Sequence, residues 1–171
     1  MAITKIQSES LNLADTYAFT GTVTGAGGVN TPYFEAKLTS RQTISSNVTT
    51  KVAFNSAVVD TDSCFDTTNN RFLPTTAGKY LILLQLTLEG GAVTTLEYDF
   101  AFILKNGSTI CEAHLNTQSG GDIRTNTLNA HTILDMNGTS DYVEAYGKIV
   151  SSSTPSYEPG TYTRFIGFKL I

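Results

Sequence analysis

Short runs in which apolar and polar residues alternate recur along most of the chain, and this period of two is typical of half-buried β-strands. Clusters of Gly, Asn and Pro separate the runs, and Asn106-Gly107 is the strongest turn signal, because a two-residue hairpin turn requires positive φ at both positions. From residue 33 onward the pattern predicts eight to ten strands, at about 33–40, 50–55, 57–60, 70–73, 78–89, 95–105, 108–116, 124–136, 141–151 and 161–171. The expected fold is therefore all-β, an antiparallel sandwich of two sheets.

The predicted strands carry more apolar residues than one sandwich core covers. In the strand at 78–89, one face holds Tyr80, Ile82, Leu84, Leu86 and Leu88. The opposite face begins with Leu81 and Leu83 before it becomes polar, and the strands at 95–105 and 161–171 show the same doubling. Since a sandwich buries only one face of each sheet, the surplus predicts a second burial outside the core.

Residues 63–83 hold a turn cluster, a bend and then an abrupt apolar run. The spacing of the residues in this stretch is more specific than its composition. Its recognisable elements are, in order, Phe65-Asp66, Asn70-Arg71-Phe72, Pro74 and Gly78-Lys79-Tyr80. In this order and spacing they resemble the signature of the complement C1q globular head domain, a branch of the tumour-necrosis-factor-like (TNF-like) jelly rolls.

Four further stretches resemble the same family: Tyr33–Leu38, Lys51–Asn55, Ile103–Gly107 and Phe165–Ile171. The likeness covers about residues 33–171, and it implies a jelly-roll domain over that range. Because C1q and TNF-like domains are generally trimers, it also implies a homotrimer and explains the surplus apolar faces. The residues expected at the contact between copies are Tyr142, Tyr146, Ile166, Phe168 and Leu170.

Residues 1–32 form a separate region without the collagen-type repeat that precedes many of these domains. The apolar members of its short runs are Ile3, Ile6, Leu11, Leu13, Tyr17, Phe19 and Val23. One interpretation is a flexible tail, and the other, which we favour, is a docking arm that adds strands to another protein's sheet edge. Two segments, Lys5–Asp15 and Ala18–Gly25, resemble N-terminal or linker segments of marine bacteriophage structural proteins, which implies a virion setting and other virion proteins as partners.

The overall composition excludes several classes of protein. At 171 residues the chain is long enough for one well-buried domain, and a net charge of −4 argues against a nucleic-acid groove. No apolar run approaches the length of a membrane span, and the N-terminus lacks the pattern of a secretory signal. The two cysteines, Cys64 and Cys111, favour free thiols over a disulfide, although their pairing stays open.

Catalytic and metal-binding chemistry have little support in the sequence. The histidines, His114 and His131, lie in predicted strands, and no nucleophile elbow, phosphate loop or paired-cysteine spacing accompanies them, so no enzyme activity is expected. Three aspartates, Asp60, Asp62 and Asp66, could supply oxygen ligands to Ca²⁺. Aspartates are also ordinary turn formers, and we favour that role and expect no cofactor.

Polar loops are the places where a rigid sandwich would bind a partner. The candidates are 90–95, 116–126 and 151–160, which could contact a host-surface glycan or protein. Tyr157 and Tyr162 could stack on a sugar, but packing at the rim of the domain is the favoured interpretation. The resemblances together imply a bacteriophage virion protein, a trimeric fibre or head-fibre attachment protein on the particle surface. The alternatives are a capsid decoration protein and a secreted C1q-like recognition module.

Overall fold

The computed structural model describes residues 30–93, 95–117 and 123–170, and within these ranges the chain forms two antiparallel β-sheets. Two 3-10 turns, Thr61–Ser63 and Gly160–Tyr162, lie between strands. The strands are β1 (Tyr33–Lys37), β2 (Gln42–Thr43), β3 (Thr50–Lys51), β4 (Ser56–Asp60), β5 (Phe65–Asp66), β6 (Arg71–Phe72), β7 (Gly78–Glu89), β8 (Leu96–Lys105), β9 (Ser108–Asn116), β10 (Thr125–Met136), β11 (Val143–Ser151), β12 (Ser156–Tyr157) and β13 (Arg164–Lys169). The seven apolar residues of the predicted arm, Ile3 to Val23, lie outside the described residues.

The longest strands, β7 and β10, organise the first sheet, which we call sheet A. Strand β10 pairs with the whole of β7 along one edge. Along the other edge β7 pairs first with β13 and then with β12, so that the sheet continues through β13, β1 and β4 on one branch and through β12 and β2 on the other. Sheet B has the order β5-β6-β11-β8-β9, with β3 also beside β11. The predicted all-β sandwich is confirmed.

The core lies between the two sheets and is rich in phenylalanine. As the alternation predicts, Tyr80, Ile82, Leu84, Leu86 and Leu88 of β7 are all buried. The aromatic residues of the 63–83 stretch reach the same core: the ring of Phe72 lies 4.5 Å from that of Phe34 and 5.4 Å from that of Tyr80. The spacing of the stretch thus places its aromatic residues where the two sheets meet.

Local chemistry explains the turns that the sequence signals. The carboxylate of Asp66 accepts hydrogen bonds from the backbone N–H groups of Thr68 and Asn69, both at 2.9 Å, which holds the turn between β5 and β6. In the β8–β9 hairpin, Asn106 has φ 51° and Gly107 has φ 79°. Both values are positive, as the predicted two-residue turn requires.

Three short strands, β2, β5 and β12, are absent from the sequence prediction. Each has only two residues, so no alternation is available to detect it. Strand β12 lies within the predicted turn over residues 155–160, and its pairing depends on the length of β7, which extends past the end of β13. Its existence is therefore set by the tertiary structure.

Candidate functional site: an apolar sheet face and a polar loop end

The outward side of sheet A carries a continuous apolar surface, which we call the apolar face. Pairing aligns Tyr33, Phe168, Leu81 and Ile133 across the four strands β1, β13, β7 and β10. The adjacent row adds further apolar side chains. The apolar face comprises Tyr33, Val59, Leu81, Leu83, Ile133, Ile166 and Phe168. Ile133 is 60% exposed and Val59 is 38% exposed, so this face is unusually apolar for a sheet surface that meets water.

A shallow cavity of about 420 Å³ opens into this face at β1, β4 and β13. Its apolar lining includes Tyr33, Val59, Ile166 and Phe168, and Asn30 and Thr31 border it. The remaining lining residues are Phe34, Glu35 and Gly167. The cavity gives the apolar face a concave part that an inserted side chain could fill.

The structure separates the five residues predicted at the trimer contact. Ile166 and Phe168 belong to the apolar face, and Leu170 follows directly after β13. Tyr146 instead lies in β11 of sheet B, where its half-buried side chain alternates with core-facing neighbours, and Tyr142 immediately precedes that strand. Outer faces of the two sheets point in opposite directions, and contacts through two opposite faces would build an open stack and not a closed ring.

Cationic side chains cover the two tyrosines on sheet B. The guanidinium carbon of Arg71 lies 5.1 Å from the ring centre of Tyr142, and the Lys51 ammonium lies 5.9 Å from that of Tyr146. Such contacts stabilise an aromatic ring at the surface of a single chain. These tyrosines therefore have partners within the chain, whereas the apolar face consists of side chains that present hydrocarbon to water.

Sequence reasoning noted Leu81 and Leu83 as surplus apolar residues but did not single out Tyr33, Val59 or Ile133. The strand β10 is polar on its outward side except at Ile133. An isolated apolar residue of this kind carries no signal until its partner strand is known. Its place opposite Leu81 is set by the pairing of β10 with β7.

The three predicted polar loops meet at one end of the sandwich, which we call the loop end. The backbone N–H of Gly90 donates to the carbonyl of Arg124 at 2.8 Å, and the carbonyl of Gly90 accepts from the Ser151 hydroxyl at 2.6 Å. The Ser152 N–H donates to the carbonyl of Thr95 at 3.3 Å. Each loop thus holds another in place, which gives the loop end a defined shape in the part of the chain that is described.

A charge cluster of Arg41, Glu89, Arg124 and Glu158 lies beside the loop end. Glu89 is only 3% exposed, and its Oε1 accepts from Arg124 Nε at 2.7 Å while its Oε2 lies 2.5 Å from Arg41 Nη1. Arg41 Nη2 also reaches both carboxylate oxygens of Glu158 at 3.0 Å. Since a buried carboxylate is costly without partners, the two arginines make the position of Glu89 possible.

The two carboxyl groups of this cluster titrate in opposite directions. The hydrogen bond with Glu158, followed by those with the arginines, holds the pKa of Glu89 below its ordinary value. Burial, and then the neighbouring Glu89, raises the pKa of Glu158. The pair and the arginines form one interacting unit, whose charges lie close enough to fix the orientation of each side chain.

A polar pocket of about 360 Å³ lies next to this cluster, and we call it the Tyr162 pocket. Its lining residues are Thr87, Glu89, Arg124, Thr125, Thr127, Glu158 and Tyr162. Tyr162 is 62% exposed at its rim. Tyr157, the other tyrosine considered for sugar stacking, is fully buried, and its hydroxyl donates to the carbonyl of Thr50 at 2.8 Å. That hypothesis is therefore wrong for Tyr157, whose ring is part of the core.

The predicted calcium candidates lie in turns that occupy their carboxylates. Asp60 Oδ1 accepts from the Cys64 N–H at 2.8 Å and from the Phe65 N–H at 3.2 Å. Asp66 caps the β5–β6 turn as described above, and Asp62 is the central residue of a 3-10 turn. Among the described residues, no three His, Cys, Asp or Glu side chains come together as metal ligands.

The cysteines and histidines take ordinary structural places. Both thiols are free, as the sequence favoured, and the burial of Cys64, reinforced by its hydrogen bond to Asp60, raises the pKa of its thiol. His114 Nδ1 lies 3.3 Å from Glu112 Oε1, but both side chains are exposed on the outer face of sheet B. His131 is exposed on the outward side of β10. No described helix has the length and apolar character needed to cross a membrane.

Comparison with known structures shows what kind of fold this is. The chain is similar to the globular domain of zebrafish complement 1qA protein, with a TM-score of 0.57 and 12% identity over 82% of this chain and 98% of that one. It is also similar to Eiger TNF from S. frugiperda, with a TM-score of 0.61 and 11% identity over 82% of this chain and 94% of that one. The expected C1q- and TNF-like jelly roll is thereby confirmed.

Sequence comparisons add no closer relationship. No protein-family model matches the chain, and no curated protein matches it. At 11% and 12% identity the structural likenesses show the fold alone. The bacteriophage setting implied by residues 1–32 stays a prediction.

Proposed function

We propose that this protein is a non-enzymatic binding module that acts as a homotrimer, with the apolar face as the contact between copies. The observation that carries the proposal is the row Tyr33, Phe168, Leu81 and Ile133, which is apolar across four strands yet lies outside the core. Burying such a surface is favourable in proportion to the apolar area removed from water. The C1q and TNF resemblance, which implies trimers, supports the same arrangement.

The loop end supplies the recognition surface in this proposal. It lies at the far end of β7 from the row that contains Leu81, so that assembly leaves it accessible. Three copies of one loop end on a trimer bind a repetitive target more tightly than one copy does, because the second and third contacts become intramolecular. A weak site on each copy is then sufficient for firm attachment.

Residues 1–32 anchor the trimer to a bacteriophage particle in the finer form of the proposal, which places the protein on the virion surface as a fibre or head-fibre attachment protein. This part rests on the resemblance of Lys5–Asp15 and Ala18–Gly25 to phage structural proteins. The apolar residues of the region would pair with a sheet edge of another virion protein. A decoration protein of the capsid and a secreted recognition module are the competing forms.

Deletion of residues 1–32 tests the anchoring role. We expect the shortened protein to keep the trimeric mass of the full chain but to be missing from purified particles, because only the docking segment is lost. Gold labelling with an antibody against residues 33–171 locates the full chain on the particle. Particles that incorporate the shortened protein equally well would contradict an anchoring role, and absence of the full chain from particles would favour the secreted module.

A further inference from the structure

We infer that the Tyr162 pocket binds one neutral sugar residue, in the pyranose form, of a glycan on the target surface. This inference deepens the proposed recognition function and rests on it. The pocket combines an exposed aromatic ring with charged groups that are held by one another and not by water. That combination suits a ligand with one hydrocarbon face and several hydroxyl groups around its edge.

The aromatic part of the site is Tyr162, which follows the 3-10 turn entered at Gly160 and is 62% exposed. The carbonyl of Tyr162 accepts a hydrogen bond from the Thr87 hydroxyl at 2.7 Å, so the backbone beneath the ring is fixed to β7. The Thr87 and Thr127 hydroxyls are also 2.7 Å apart, which ties β10 to the same point. An exposed ring on a fixed backbone offers a platform against which the C–H face of a pyranose can stack.

The polar part of the site is oriented before any ligand arrives. Arg124 engages Glu89 Oε1 through Nε at 2.7 Å and through Nη2 at 2.5 Å. A guanidinium has five N–H donors, so donors are left for a ligand, and this side chain is 52% exposed. Across the pocket, Glu158 offers carboxylate oxygens that accept from hydroxyl groups, while Arg41 holds it from behind. Groups that are already oriented lose little freedom on binding.

The charges of the site favour a neutral ligand. With both carboxyl groups ionised, the formal charges of Arg41, Arg124, Glu89 and Glu158 cancel. An anionic ligand would meet Glu89 and Glu158, and a cationic ligand would meet the arginines. Hydroxyl groups both donate to carboxylates and accept from guanidinium groups, and such charge-assisted hydrogen bonds are strong. A neutral polyol therefore uses both kinds of charge in the pocket without repulsion.

The volume and the location of the pocket agree with this ligand class. A cavity of about 360 Å³ lies near the small end of the range for ligand pockets and accommodates a single ring better than an extended chain. Along β7, Glu89 is about 26 Å from Leu81 at the usual strand rise. The pocket and the apolar face are therefore separate sites, and the pocket can bind while the copies are assembled.

Saturation-transfer NMR on the full chain tests the inference, with the methyl pyranosides of glucose, galactose, mannose and N-acetylglucosamine as probes, together with the methyl glycoside of N-acetylneuraminic acid. At least one neutral probe is expected to receive magnetisation at millimolar concentration. Tyr162→Ala and Glu158→Gln are expected to raise its Kd at least tenfold. Tyr162→Phe, which keeps the stacking ring, and Tyr142→Ala, at the opposite end of sheet B, are expected to leave the Kd within twofold.

Three results would overturn the sugar site: no transfer to any neutral probe, an unchanged Kd in both Tyr162→Ala and Glu158→Gln, or stronger binding of the charged probe than of every neutral one. Light scattering on the same samples separates this failure from that of the proposed function. A trimer that binds no sugar rejects the site alone. A monomer rejects the trimeric module whether or not the pocket binds.

Discussion

Phe168→Asp is expected to convert the trimer into monomers. Phe168 lies in the middle of the apolar face, paired with Tyr33 on one side and with Leu81 on the other. The substitution would place a carboxylate in each of the three contacts, and an unpartnered charge removed from water costs several kcal/mol. The side chain is only half-buried in the single chain, so the fold itself should survive. Light scattering at micromolar concentration and circular dichroism measure the two properties separately.

Two matched variants make this prediction specific. Tyr142→Asp places the same charge on the outer side of the molecule near sheet B, and Arg124→Ala changes the loop end, and both are expected to keep the trimeric mass. The sequence alone grouped Tyr142 with Phe168 at one contact, whereas the structure places them on opposite sides. Dissociation by Tyr142→Asp would show that sheet B takes part in assembly. An unchanged mass in Phe168→Asp would show that the apolar face does not.

Phe72→Ala is expected to lower the free energy of unfolding by about 3–5 kcal/mol, the range for large core residues replaced by alanine. The ring of Phe72 is fully buried and stacks on Phe34 with centres 4.5 Å apart. Its removal leaves a cavity where the two sheets meet, and it also loses the edge contact with Tyr80. Urea unfolding at a fixed protein concentration measures the loss, since the stability of an assembly depends on concentration.

Phe102→Ala is the control for this substitution, because it makes the same chemical change on the outer face of sheet B. Phe102 is half-buried and stacks on Phe100 with ring centres 5.7 Å apart. A clearly smaller loss is expected there, because water fills the space that the ring leaves. Equal losses for the two variants would contradict the assignment of Phe72 to the core.

Much of the fold follows from the sequence because the long strands have a strong period of two. The apolar residues of β7 are long enough in series to identify both its buried and its outward side. Positive φ at Asn106 and Gly107 follows from the chemistry of the two residues. Two-residue strands such as β12 have no period, and their pairing depends on neighbours that lie far away in the chain.

The candidate site is less predictable, because pairwise contacts between distant residues create it. Glu89 reads as the polar end of a strand, and its partners Arg41, Arg124 and Glu158 lie in other parts of the sequence. Likewise, Ile133 becomes part of an apolar row only through its alignment with Leu81. Tyr157 and Tyr162 are five positions apart, yet one is in the core and the other at the surface.

The mass of the unaltered protein in solution tests most directly whether the apolar face is covered by identical copies. Light scattering on the full chain at micromolar concentration is predicted to give three times the 18.4 kDa of one chain, independent of dilution over that range. A single species of 18.4 kDa would contradict the account, because the apolar face would then meet water in the native protein.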